Sequence, residues 1–352
     1  MKVIVVGAGY AGTYAANRLA KKVKAAEITV INPRPDFVER IRLHQRVAGT
    51  AAAAKPLTSM LRDGITSRVA TVDKIGDGVL TLGDGTSADF DYAFLAVGST
   101  VTPLPETVPV GTWEGAEQGR AALAALPAGS TVTVIGGGPT GIETASEVAA
   151  ARPDVRVRLV GPSVADCFSH EALRRVRAGL ARLAVDIVDD GVTSVTGGGV
   201  HLRSGTALAS DLTLWAIISG VPDLAARSGL EVNSEGRAIV DEYLRSVTDD
   251  RIFAVGDCAA VPGARMACQS AEPQAAHAAD NLARLVEGHK PRPFTPRYLA
   301  LGVSLGRKDA VAQFTHLDDT LRRAYIAGRT AAVVKEGACR GATFGARAAI
   351  GA

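Results

Sequence analysis

Apolar positions along this chain follow two periods. Val3-Ile4-Val5-Val6 and Thr131-Val132-Thr133-Val134-Ile135 are β-branched runs with the composition of buried parallel strands. A segment of helical spacing follows each. The first runs from Thr13 to Lys24, with Ala15, Ala16, Leu19, Ala20 and Val23 on its packed face, and the second includes Ile142 to Val148. Another strand comes next in both places, Ile28 to Ile31 and Val155 to Val160. Strand, helix and strand thus recur in one chain, which predicts an α/β protein built from two similar units.

The turn between strand and helix is glycine-rich in both copies. It reads Gly7-Ala8-Gly9-Tyr10-Ala11-Gly12 in the first and Gly136-Gly137-Gly138-Pro139-Thr140-Gly141 in the second. The spacing G-x-G-x-x-G in this context is that of a dinucleotide phosphate loop. The first glycine permits a sharp turn, the second lets backbone approach a pyrophosphate, and the third lets the helix pack tightly on the sheet. The helix N-terminus faces the phosphate charge. Two Rossmann-like domains and two bound nucleotides are therefore expected. The ribose-binding acid expected about 20 residues past such a loop falls at Asn32, which brings hydrogen bonds but no charge. Arg34 either lies along the adenosine end or is a solvated loop arginine. The second unit's strand ends in Val160-Gly161-Pro162-Ser163, again without an acid, and Arg174 and Arg175 lie further on. The reading leans slightly to NADH, with NADPH accepted.

Composition narrows the picture. The chain has 352 residues, 47% hydrophobic and 21% charged, enough for two domains and a small third. Its net charge of +3 comes from mixed signs, so nucleic acid is not expected as a partner. No apolar stretch is long enough for a transmembrane helix, and no signal peptide is expected. Cys167, Cys258, Cys268 and Cys339 form no C-x-x-C pair, which points to a cytoplasmic protein. Histidines and cysteines show no metal-ligand spacing.

Two further segments complete a pattern. Tyr92 to Ser99, containing Ala96 and Gly98, reads as a strand running into a domain-linking turn, and Thr248 to Asp257 ends Ile252-Phe253-Ala254-Val255-Gly256-Asp257. With the two loops, these make the chain resemble the two-dinucleotide-domain flavoprotein disulfide-reductase superfamily over nearly its full length. The resemblance implies FAD in the first domain and NADH or NADPH in the second, with Asp257 meeting the ribityl or phosphate region. Disulfide reductases carry a cysteine pair near the flavin, but Phe37-Val38-Glu39-Arg40-Ile41-Arg42-Leu43-His44-Gln45 has none. A dithiol relay there is excluded. The segment is similar instead to the type II NADH dehydrogenase and apoptosis-inducing-factor-like branch, which passes electrons to a quinone or similar acceptor. Gln269 to His277 resembles that branch's A-Q-x-x-x-Q-Q helix beside the flavin: Gln269 and Gln274 are kept, Ala275 follows, and Pro273 and Cys268 depart from it. Pro273 is expected in the first turn of that helix.

The resemblance also suggests roles. Glu143, two residues past Gly141, matches a glutamate near the nicotinamide; its plain alternative is an acid favoured by the helix dipole. His44 and Gln45 pass the flavin, with His44 either a proton donor to the acceptor or a structural histidine. Arg42 either contacts FAD phosphates or stays on the surface. The expected domains are 1–105 with 238–288 for FAD, 106–237 for NAD(P)H, and 289–352 as a C-terminal α+β interface domain. Its glycine-rich end, Gly341 to Ala352, is expected to form no amphipathic anchor. The function so implied is an NAD(P)H:acceptor oxidoreductase with a small-molecule electron acceptor, a homodimer being compatible with it. A ferredoxin-type protein acceptor, for which the sequence shows no basic cluster, and a redox-sensing role are the alternatives.

Overall fold

A computed structural model describes residues 1–350. The first sheet is parallel throughout, in the order Ile252–Ala254, Tyr92–Leu95, Lys2–Val6, Glu27–Asn32, Thr66–Val69. Its central strand has Val3 and Val5 fully buried, as a strand covered on both faces requires. Phe94 and Phe253 sit opposite each other in register and stack at 5.0 Å. The second sheet repeats this plan in the order Val108–Pro109, Leu212–Trp215, Thr131–Ile135, Arg156–Gly161, Val185–Asp189.

The repetition extends to single hydrogen bonds. Gly7 N donates to Ile31 O and Gly136 N to Val160 O, both at 2.8 Å. Lys2 N donates to Asp91 and Thr131 N to Asp211, both at 2.7 Å. A three-stranded antiparallel meander accompanies each sheet, Val72–Gly76, Val79–Leu82, Ser87–Asp89 in one and Val192–Thr196, Gly199–Leu202, Ala207–Ala209 in the other. The two crossings between the sheets run side by side, Thr100 N donating to Gly220 O at 2.8 Å.

The remaining chain forms an antiparallel sheet, Ala300–Ser304, Ala310–Thr315, Leu321–Ala327, and a final helix, Gly328–Ala348. Val303, Leu305 and Val311 join the core of the second unit, while Ala346 and Ala349 join that of the first. This segment thus ties the two units together. Its helix runs on through most of the glycine-rich stretch, to Ala348. Asn17 donates to Ala346 O at 2.9 Å, Arg18 to Ala349 O at 3.3 Å, and Lys21 to Ala348 O, so side chains of the first glycine loop's helix hold its last carbonyls. Tertiary partners here outweigh the low helix propensity of glycine.

Candidate functional site

Each glycine loop is built as its spacing requires. Gly7 has φ +99°, and a Cβ there would lie 2.4 Å from Ala96 O; a Cβ on Gly12 would lie 1.9 Å from Gly7 O. Gly136 has φ +132°, and a Cβ on Gly141 would lie 1.7 Å from Gly136 O. The outer glycines therefore serve the turn and the helix contact. At Gly9 and Gly138 a Cβ would meet nothing within 4 Å. These middle positions open onto free space at the start of the helices Tyr10–Lys22 and Pro139–Ala151, where the dipole favours an anion. Both cradles fit a pyrophosphate.

Asn32 is spent within the first loop: its Oδ1 accepts from Ala8 N at 3.0 Å and its Nδ2 donates to Arg34 O at 2.7 Å. Arg34 pairs with Glu114 at 2.6 Å, across to the second unit. Ala11 lies under the Gly256-Asp257 turn, which Gln274 holds by accepting from Gly256 N at 2.7 Å. Ala275 is fully buried beside it. Pro273 sits inside the helix Cys268–Val286, in its second turn rather than its first, so the helix tolerates a missing N–H there.

Ser99 follows the Ala96-Val97-Gly98 turn and donates to Asp257 at 2.6 Å. It accepts in turn from Arg40 at 2.7 Å, and Arg40 lies 3.8 Å from Asp257. Sequence reasoning picked Arg42 from this segment and missed Arg40. The segment Arg40–Arg42 is a 3-10 turn, so alternate residues point in different directions. Arg42 turns away to a bidentate pair with Glu336 at 2.9 and 3.1 Å, with Gln45 accepting from it at 3.1 Å.

Glu143 points to the C-terminal segment. It accepts from Ser304 N at 2.9 Å and Ser304 Oγ at 3.0 Å, and Lys335 lies 3.3 Å away. Burial alone would raise its pKa, but Lys335, His44 and the Ser304 hydrogen bonds outweigh that and hold it below the usual carboxylate range. Burial opposes the charge on Lys335, and Glu143 more than restores it. One helical turn on, Glu147 is buried and accepts from Thr50 at 2.5 Å, its other oxygen being unpartnered. His44 lies buried among these groups, its Nε2 without a partner. Burial lowers its pKa against the pull of Glu143 and Glu147, so the ring is neutral at pH 7. The sequence reading missed Glu147 and Lys335. Two acids four residues apart in the otherwise small and apolar Ile142-Glu143-Thr144-Ala145-Ser146-Glu147-Val148 were a visible signal for Glu147; nothing local marked Lys335.

Beside the second loop lies a cavity of about 410 Å³, lined by Gly136 to Thr140, Gly161, Pro162, Gly191, Arg203, Trp215, Ile217 and Ile218 among others. Ile217 and Ile218 are exposed apolar side chains inside it, a surface suited to a bound ring. Fold and site together define a protein with two dinucleotide cradles.

The chain belongs to the pyridine nucleotide-disulphide oxidoreductase family, whose model matches residues 1–281. It is 30% identical over 322 residues to an NADH dehydrogenase-like protein of Mycobacterium tuberculosis, covering 80% of each chain. Among solved structures it is similar to the sulfide:quinone oxidoreductase of Aquifex aeolicus, with TM-score 0.82, 19% identity and 99% and 92% of the two chains covered. It is also similar to NDH2 from Plasmodium falciparum in complex with NADH, with TM-score 0.81, 16% identity and 99% of each chain covered. The protein is thus an NAD(P)H-dependent flavoprotein oxidoreductase using FAD. Among the described residues no helix is long and apolar enough to cross a membrane.

Proposed function

We propose that this chain passes reducing equivalents from NAD(P)H through FAD to a quinone or quinone-like small molecule. One observation carries the reading: the segment Phe37–Gln45 packs against the second unit's nucleotide helix through His44 and Leu43, and it contains no thiol. A dithiol cannot be the next carrier there, which favours an acceptor that meets the flavin directly. When bound, FAD supplies the acceptance of a hydride equivalent and its onward delivery as electrons.

The chain's own groups would do the rest. Gly7, Gly9, Tyr10, Ala11 and Gly12 would hold the FAD pyrophosphate, with Asn32 fixing that loop. Ala96, Gly98, Gln274 and Ala275 would shape the flavin channel, and Asp257 would accept from a ribityl hydroxyl. Gly136, Gly138, Pro139, Thr140 and Gly141 would hold NAD(P)H. Glu143, kept ionised by Lys335, would position the nicotinamide. His44 is neutral at pH 7, so it would relay a proton through its free Nε2 rather than store one. Gln45 and Arg42 would brace the segment against the final helix. The four cysteines are unpaired, in keeping with a reducing cytoplasm.

The test is anaerobic stopped flow. Mixing with NADH or NADPH should bleach the flavin, and a soluble quinone should then restore its colour rapidly. Bleaching without recovery by any quinone would reject the acceptor while keeping the two nucleotide sites. One feature favours a protein acceptor as a second reading. The cations, dispersed along the sequence, are in excess in residues 289–352, with eleven Lys and Arg against four Asp and Glu. An acidic iron–sulfur protein docking there would give turnover that falls steeply with salt, whereas turnover with a neutral quinone would not.

A further inference from the structure

We infer that Arg203 makes the second nucleotide site select the 2′-phosphorylated dinucleotide, NADPH, over NADH. The inference rests on the second glycine loop holding a nicotinamide nucleotide. Discrimination between the two depends on the charge beside the adenosine ribose: an acid accepts from a 2′-hydroxyl, whereas an arginine accommodates a 2′-phosphate. No aspartate or glutamate lines this cavity, and Arg203 is the cation that does. The strand end where an acid would stand reads Gly161-Pro162.

Arg203 is held in place for this. Its backbone N donates to Gly191 O at 2.7 Å. Its guanidinium atoms lie 3.0–3.2 Å from where a Cβ on Gly191 would sit, so glycine there leaves the slot the guanidinium occupies. Nearby carboxylates accept their hydrogen bonds from other groups. Asp189 accepts from Val164 N at 3.0 Å and pairs with Arg177. Asp190 accepts from Gly191 N at 2.7 Å and Ser204 N at 3.2 Å, and its electrostatic interaction with Arg203 is weaker than these hydrogen bonds. Among the described residues no carboxylate comes within ion-pair distance of Arg203, whose side chain feels Asp190 only through space, so its planar fork can still take a phosphate. Neither Arg174 nor Arg175, the two arginines considered from the sequence, lines this cavity, and Arg175 is paired with Asp309 at 2.6 Å in the C-terminal segment.

The experiment is calorimetric titration of FAD-loaded protein with 5′-AMP and with 2′,5′-ADP, for the native chain, Arg203→Ala and Arg203→Lys. The native chain should bind 2′,5′-ADP at least about tenfold more tightly than 5′-AMP. Arg203→Ala should weaken 2′,5′-ADP by about tenfold to a hundredfold while leaving 5′-AMP within about twofold, and Arg203→Lys should fall between. In turnover, Arg203→Ala should raise KM for NADPH with kcat unchanged and leave KM for NADH alone. Equal weakening of both ligands would mean that Arg203 only stacks on adenine and would overturn the proposal, as would a native chain without preference. If neither ligand binds although FAD absorbance is intact, the assignment of the second loop fails as well.

Discussion

At the scale of single residues, the glycines divide by what surrounds them. Gly12 and Gly141 are pressed against backbone, whereas Gly9 and Gly138 face open space. A valine at either middle position therefore has room to fold and fills the volume a pyrophosphate needs. Gly9→Val should yield folded, colourless protein, and Gly138→Val should stay yellow but resist bleaching by NAD(P)H. A yellow, fully loaded Gly9→Val would remove the first-loop assignment. The Glu143–Lys335 pair makes a second case. Glu143→Gln or Lys335→Met alone leaves one charge without its partner and should cost roughly 3 kcal/mol in urea unfolding, the double variant costing less than their sum. Glu143→Ala should also slow flavin reduction with FAD retained. Glu272 is a third. One of its oxygens is buried without a partner, and burial pushes its carboxyl up to about 8. The folded state thus keeps a proton that the unfolded state gives up near pH 4.5. Stability from this group is full below pH 4.5 and declines as pH rises towards 8. Glu272→Gln should remove that decline, so melting curves of variant and native protein should diverge at pH 8.5 and converge at low pH.

At the scale of elements, the final helix depends most on its surroundings. Its sequence contains Gly328, Gly337, Gly341 and Gly345, a composition that argues against an isolated helix. Gly345 faces the Glu272 carboxylate, a Cβ there lying 2.9 Å from it, so small size serves the contact with helix Cys268–Val286. Asn17 bridges three segments: it donates to Met60 O at 2.8 Å and Ala346 O at 2.9 Å, and accepts from Arg62 N at 2.8 Å. Asn17→Ala leaves buried carbonyls unpaired and should cost about 1–3 kcal/mol. Hydrogen exchange should accelerate in the last two turns of the helix; unchanged protection there would show that Asn17 does not hold it. Glu336 anchors the same helix to Arg42, whose hydrogen bonds hold its carboxyl down at about 2. With the folded value depressed, this anchor contributes fully above pH 4.5 and is lost as pH falls through 2, and Glu336→Gln should flatten acid unfolding over that window.

At the scale of the whole molecule, two copies of one architecture are held by paired crossings at Thr100 and Gly220 and by a C-terminal segment packed on both cores. The polar cluster of His44, Glu143, Glu147, Ser304 and Lys335 exists only where these three parts meet. Local patterns were enough for the two strand–loop–helix units, because β-branched runs, helical spacing and three glycines each act within a few residues of themselves. They were enough, too, to exclude a thiol pair at Phe37–Gln45. They did not reveal Arg40 at Asp257, the capture of Arg42 by Glu336, the pairing of Glu143 with Lys335, or Arg203 beside Gly191. Each of those joins residues far apart in the chain or turns on a side-chain direction, so its partner is set by packing between elements rather than by spacing along one. The glycine-rich tail shows the same limit in a backbone. Its own propensity argued against a helix, and contacts with Asn17, Arg18 and Lys21 decided for one.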